Sequence, residues 1–119
     1  MKPTLLIVDD HASFRSFARA LLEADGFDVT GEAADGESAL AEVTRLHPEV
    51  VLLDVQLPGI DGFEVARRLA SEPGAPIVVL TSSRDASDYG TKLAALPVKG
   101  FIPKRHFSGD ALSELTAGV

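Results

Sequence analysis

Three apolar runs punctuate the chain: Leu5-Leu6-Ile7-Val8, Val50-Val51-Leu52-Leu53 and Ile77-Val78-Val79-Leu80. Each has the length of a strand and is bounded by polar or turn-forming residues. A strand that is apolar at every position must be covered on both faces, which predicts a parallel sheet held between two layers of helices. Two weaker segments complete the set. From Phe27 to Glu32 the chain alternates, with Phe27, Val29 and Gly31 set against Asp28, Thr30 and Glu32. From Lys99 to Pro103 it is short and carries a proline. Half-polar patterns and prolines belong at sheet edges, where a missing N–H costs no ladder bond.

The segments between the strands carry helical spacing. Phe14, Phe17, Ala18, Leu21 and Leu22 recur on one helix face, and Gly26 stands where a helix C-cap belongs. Ala39, Leu40, Val43 and Leu46 repeat the pattern, which Pro48 ends. Phe63, Ala66, Leu69 and Ala70 predict a third helix, stopped by Pro73-Gly74. A fourth is expected from Ala86 to Leu96, weakened by Gly90 and Thr91 inside it, and a short fifth from Ser108 to Thr116 with Leu112 and Leu115. Five β-α repeats predict an α/β three-layer sandwich with a doubly wound, five-stranded parallel sheet. The strand order 2-1-3-4-5 places the three apolar strands in the centre and the two weak ones at the edges. No linker, internal repeat or low-complexity segment interrupts residues 1–119, so the whole chain is expected to form one domain.

Composition narrows the chemistry. There are no cysteines, which excludes disulfides, thiolate metal sites and thiol nucleophiles. The net charge is −7 and the basic clusters are small, namely Arg67-Arg68 and Lys104-Arg105-His106. A net-acidic domain of this kind is not expected to bind nucleic acid directly. The first apolar run is too short for a signal-peptide core or a membrane span, so no membrane association and a cytoplasmic location are expected.

In such a sheet, ligands bind outside the carboxyl ends of the strands, near the reversal in strand order. The residues that follow each strand therefore matter. The first strand ends in Asp9-Asp10, the third in Asp54, the fourth in Thr81-Ser82, and the fifth runs into Lys104. Each has a plainer reading alone: Asp10 as a helix N-cap, Asp54 and Thr81 as turn residues, Lys104 as a surface charge. Their convergence at one end of one sheet favours a site. Three clustered carboxylates repel one another, and a hard divalent cation such as Mg²⁺ resolves that repulsion. A carboxylate nucleophile, a cation, a lysine and a threonine hydroxyl are together the parts needed to accept a phosphoryl group.

The segments Leu5-Leu6-Ile7-Val8-Asp9-Asp10-His11 and Val51-Leu52-Leu53-Asp54-Val55-Gln56-Leu57-Pro58-Gly59-Ile60-Asp61-Gly62 resemble the signatures of two-component response-regulator receiver domains, which include chemotaxis receivers. So do Ile77-Val78-Val79-Leu80-Thr81-Ser82 and Lys99-Gly100-Phe101-Ile102-Pro103-Lys104, and the resemblance covers essentially the whole chain. It implies a flavodoxin-like fold and a phosphorylation-activated switch. Asp54 is the implied phosphoacceptor. Asp10 is the implied direct Mg²⁺ ligand, with Asp9 acting partly through water, and Asp54 and the backbone carbonyl of Gln56 complete the metal set. Thr81 and Lys104 would bind the phosphoryl group, and Phe101 matches the aromatic that follows the threonine inward. Asp61-Gly62 and Pro58-Gly59 are read as structural. The implied donor is a sensor histidine kinase or a phosphotransfer protein. The surface expected to switch is the fourth helix, fifth strand and fifth helix, where a partner or a homodimer contact is expected.

The chain departs from the family pattern in several places. Arg105 stands where a proline usually follows the lysine, often after a cis bond. A cis bond before a non-proline residue costs about 2.5–4 kcal/mol, so a trans bond is expected. Phe101 lacks the hydroxyl of the more common tyrosine and is expected to sit inward readily. Gln56 and Ser83 are candidates for tuning the lifetime of the acyl phosphate. Two other functions compete with the switch. One is a receiver fold that binds partners without phosphorylation, which the full set of carboxylates, Thr81 and Lys104 disfavours. The other is a Mg²⁺-dependent aspartyl phosphohydrolase. Such enzymes carry a second carboxylate two residues after the nucleophile, where this chain has Gln56. The chain is therefore expected to be a regulatory domain that catalyses only its own phosphotransfer and dephosphorylation. His11 is expected to be a solvated residue opening the first helix, His47 a helix-end residue, and His106 a surface residue; their spacing gives no zinc site.

Overall fold

The structure, a computed structural model, describes residues 3–117. The strands are β1 (Thr4–Val8), β2 (Asp28–Ala33), β3 (Val50–Asp54), β4 (Ile77–Ser82) and β5 (Gly100–Pro103). The helices are α1 (Ala12–Ala24), α2 (Gly36–Leu46), α3 (Gly62–Ala70), α4 (Thr91–Ala94) and α5 (Gly109–Thr116). All strand pairs are parallel and the order is β2-β1-β3-β4-β5. This is the expected doubly wound sheet, with the apolar strands β1, β3 and β4 inside and the half-polar β2 and β5 at its edges.

The period of two along each central strand explains both cores. Leu6 and Val8, Val51 and Leu53, and Val78 and Leu80 face a layer built from Ala39 of α2 and Phe63, Val65, Ala66 and Leu69 of α3. Leu5 and Ile7, Val50 and Leu52, and Val79 face Ala18 and Leu22 of α1 and Leu112 of α5. All four residues of the Val50–Leu53 run are fully buried, the consequence of helices on both sides. Burial of this kind contributes roughly 1.5–3 kcal/mol per large side chain.

Three helices are capped by side chains. Asp35 accepts from the Ser38 N–H at α2, Asp61 from the Glu64 N–H at α3, and Ser108 from the Ala111 N–H at α5. Each satisfies one amide that has no partner within the helix. His11 occupies the N-cap position of α1 but makes no capping bond with its side chain. Asp10 therefore does not cap α1.

The fourth helix differs from expectation. Instead of one helix from Ala86 to Leu96, the chain forms a single 3₁₀ turn at Ala86–Tyr89 and then the four-residue α4. Gly90 separates them with φ +58. That conformation is open to glycine and breaks the helix in two. No residue in either piece is fully buried, so packing does not repair the break.

Candidate functional site

Parallel strands in register bring the strand-end residues together. Asp54 pairs with Thr81 across β3 and β4, and Thr81 with Ile102 across β4 and β5. Asp9 follows β1, the other neighbour of β3. Lys104 begins a 3₁₀ turn immediately after β5. The sequence-predicted acidic pair, acceptor, threonine and lysine therefore share the carboxyl end of the sheet.

Asp9 is fully buried. Its Oδ1 accepts from the His11 backbone N–H at 2.8 Å. Its Oδ2 lies 2.6 Å from Lys104 Nζ. Beyond that ion pair, this buried oxygen has no hydrogen-bond partner. A buried carboxylate oxygen held by one ion pair alone is only partly compensated for its lost hydration. Asp54 is 2% exposed. Its Oδ1 accepts from the Gln56 N–H at 3.3 Å and its Oδ2 from Lys104 Nζ at 3.5 Å. Burial and the neighbouring Asp9 charge push the Asp54 carboxyl up to about 6, against a smaller lowering by Lys104 and the Gln56 N–H.

Asp9, Asp10, His11 and Asp54 each offer a ligand atom, and these atoms all lie within 4.8 Å of one another. The donor set fits a divalent cation on two grounds: it concentrates negative charge, and it contains a buried carboxylate oxygen that lacks a hydrogen bond. Lys104 is the one ammonium ion-paired with the buried carboxylates among the described residues, shared between Asp9 and Asp54. Its Nζ also stands 4.6 Å from the centre of the Phe14 ring, which holds it by a cation–π contact.

The remaining predicted residues take distinct positions. Thr81 is buried, and its hydroxyl donates to the Ile102 carbonyl at 2.7 Å. Phe101 is half-buried against the α2/α3 side of the core. Gln56 and Ser83 are exposed. Arg105 forms an ion pair with Asp85 from the loop after β4, and no cis peptide bond occurs among the described residues. His106 lies at the surface, as expected, and His47 ends α2 in a left-handed conformation at φ 48.

Sequence reasoning did not anticipate two features. His11 is exposed and opens α1 as expected, yet its Nδ1 lies 3.2 Å from Asp9 Oδ1 and 3.1 Å from Asp10 Oδ1. Its position directly after the acidic pair was the available signal. Tyr89 was not singled out. Its ring meets Phe63 edge-on at 5.3 Å and Phe101 at 6.0 Å, and its hydroxyl is 2.6 Å from Ser82 Oγ. No periodic pattern marks such a residue, because it belongs to an irregular turn.

Residues 5–116 match the response regulator receiver domain family. The chain belongs to that family. Among curated relatives, the receiver is similar to the probable transcriptional regulator ycf27 of Porphyridium aerugineum. The two are 42% identical over 107 residues, covering 87% of this chain and 44% of the relative. The DNA-binding response regulator MtrA of Mycobacterium tuberculosis is 43% identical over 88 residues, covering 74% of this chain and 38% of MtrA. The receiver thus spans less than half the length of these relatives. Among solved structures, the NarL signal receiver domain from Mycobacterium tuberculosis superposes with a TM-score of 0.89 at 30% identity, covering 99% of this chain and 98% of that one. The chemotaxis response regulator CheY4 of Vibrio cholerae shares the fold, with a TM-score of 0.85 at 23% identity over 97% of this chain and 99% of that one. Among the described residues, no helix is long and apolar enough to cross a membrane.

Proposed function

We propose that this receiver, a single domain over residues 1–119, accepts a phosphoryl group on Asp54 in a Mg²⁺-dependent reaction. The donor is a sensor histidine kinase or a phosphotransfer protein. The observation that carries the reading is the grouping of Asp9, Asp10 and Asp54 ligand atoms within 4.8 Å, with Lys104 Nζ 3.5 Å from the acceptor carboxylate. Asp9, Asp10, Asp54 and the Gln56 backbone carbonyl would hold the cation. When bound, the cation supplies neutralising charge for the carboxylates and the phosphoryl oxygens.

The protein's own groups do the rest by position and electrostatics. An Asp54 carboxylate oxygen attacks phosphorus, a P–O bond forms, and the donor's P–N bond breaks with its electron pair leaving on the imidazole. Lys104 moves from Asp9 toward a phosphoryl oxygen, a stronger charge-assisted partner. Thr81 is the readout. Its hydroxyl is held by the Ile102 carbonyl, so reaching the phosphoryl group requires giving up that bond to β5. A neutral hydrogen bond contributes about 1 kcal/mol net, and one to a charged oxygen about 1.5–3 kcal/mol, so the exchange is favourable. Phe101, next to Ile102, then repacks, and the surface of α4, β5 and α5 changes. That surface is where a partner or a second copy binds. Gln56 and Ser83 set the lifetime of the acyl phosphate.

The related DNA-binding regulators suggest control of transcription as the downstream output. With a net charge of −7, this domain acts there through a partner surface, not by contacting nucleic acid. The test is incubation with acetyl phosphate and Mg²⁺, read by intact mass. A single phosphoryl adduct is expected on the native chain and none on Asp54→Ala. No adduct, together with an NMR spectrum unmoved by beryllofluoride, would overturn the proposal. Fast multiple turnover of small phosphomonoesters would instead favour a phosphohydrolase.

A further inference from the structure

We infer that His11 is a ligand of the cation at this site, and that its imidazole makes the site prefer first-row transition ions such as Mn²⁺ and Ni²⁺ over Mg²⁺. The inference rests on the reading of the acidic cluster given above and concerns which ion the cluster takes.

The geometry begins with one nitrogen facing two carboxylates. His11 Nδ1 lies 3.1 Å from Asp10 Oδ1 and 3.2 Å from Asp9 Oδ1. With its proton on Nδ1 the ring donates to Asp9 Oδ1; with the proton on the other nitrogen, the Nδ1 lone pair faces two carboxylate oxygens, an arrangement that a shared cation relieves. Ligand atoms at right angles around an ion with bonds of about 2.1 Å stand about 3 Å apart, close to the spacing found here.

The backbone holds the ring in place. The His11 N–H donates to Asp9 Oδ1 at 2.8 Å, which keeps residue 11 on the same side as that oxygen. Asp9 Oδ2 is turned toward Lys104, leaving Oδ1 on the His11 side. Nothing in the fold otherwise requires an imidazole at residue 11. Its side chain makes no capping bond to α1 and is 65% exposed, so its polar contacts are those with Asp9 and Asp10, the carboxylates of the cluster.

The chemical consequence concerns selectivity. Mg²⁺ is hard, demands oxygen ligands and gains little from imidazole nitrogen. Mn²⁺, Co²⁺, Ni²⁺ and Zn²⁺ accept mixed nitrogen and oxygen donors, with affinity rising toward the later ions. Three carboxylates alone would hold either class. The added nitrogen raises affinity for the transition ions selectively.

The test uses the untagged full chain. Calorimetric titration with Mg²⁺ and with Ni²⁺ gives the affinity ratio of the two ions, and pulsed EPR of the Mn²⁺ complex reports ¹⁴N coupling. The native chain is expected to show ¹⁴N coupling from a bound imidazole. His11→Gln is expected to remove it and to lower the Ni²⁺/Mg²⁺ affinity ratio by about tenfold or more. Asp54→Asn is expected to weaken both ions, placing them at the cluster and not at His47 or His106. An unchanged ratio in His11→Gln, absence of ¹⁴N coupling in the native complex, or Ni²⁺ binding indifferent to Asp54→Asn would overturn the inference. If the native chain forms the phosphoryl adduct with Mg²⁺ while the ratio is unchanged, only the role of His11 falls. If it binds no divalent ion and forms no adduct, the proposed function falls as well.

Discussion

Asp54 is 2% exposed and lies beside a second buried carboxylate, Asp9. In the absence of a cation, the fold therefore penalises the charged form of Asp54, and its carboxyl is raised from 3.8 to about 6. The folded state holds this proton more tightly than the unfolded chain. Its contribution to stability is accordingly full below pH about 4 and is lost as pH rises through about 6, on the order of 2–3 kcal/mol. The expected outcome is a fall in the stability of chelator-treated protein over that interval, measured by urea unfolding at a series of pH values. Asp54→Asn should flatten the dependence and be the more stable protein at pH 7 without metal. A native-protein profile that is flat or rising because of Asp54 would contradict the assignment of burial and Asp9 repulsion as the cause.

At the scale of elements, α3 is set against β3, the strand that ends in Asp54, by a glycine. A Cβ at Gly62 would fall 2.3 Å from the Asp54 carbonyl oxygen and 2.8 Å from Val55 Cα. Both neighbours are backbone and cannot swing aside. The close approach is fixed by the Gly62 N–H donating to the Val55 carbonyl at 2.8 Å and by the Asp61 cap. Gly62→Ala must push α3 away from the end of β3, costing about 1–3 kcal/mol. A lower urea midpoint with a slower approach to full phosphorylation is expected, the first read by circular dichroism and the second by intact mass. Gly59, at φ +77 with nothing near its Cβ position, marks a turn where only backbone conformation is at stake.

Across the whole molecule, stability is unevenly spread. The central strands β1, β3 and β4 carry most of the largest fully buried side chains, with Leu22, Leu69 and Leu112 from helices, whereas residues 86–94 contribute none. That segment is tied to the rest through Tyr89, by its bond to Ser82 and its edge contacts with Phe63 and Phe101, through partly buried Leu93, and through Lys92 over the Phe63 ring. Amide exchange should therefore be fastest across residues 86–96 and slowest in β1, β3 and β4. Tyr89→Phe should speed exchange in that segment by several-fold while leaving the central strands unaffected, because it removes one hydrogen bond worth about 1 kcal/mol and keeps the ring. Hydrogen exchange followed by mass spectrometry resolves the two regions. The same face is the one expected to change on phosphorylation, and a segment of low local stability is suited to that.

The amino-acid pattern by itself determined the layers, the strand order and the set of residues at the carboxyl end of the sheet. A run apolar at every position has only one comfortable place, between two helical layers, and the residues that end such runs must gather at one rim. Asp9, Asp10, Asp54, Thr81 and Lys104 were legible for that reason. Three matters were left to tertiary structure. Lys104 sits closer to Asp9 than to Asp54, Tyr89 bridges Ser82 and Phe101, and His11 turns its ring toward the acidic pair. Each depends on distances between side chains brought together by different elements or turns. Hydrophobic periodicity fixes which face a residue takes; it carries no information on which of several nearby charges a flexible side chain meets.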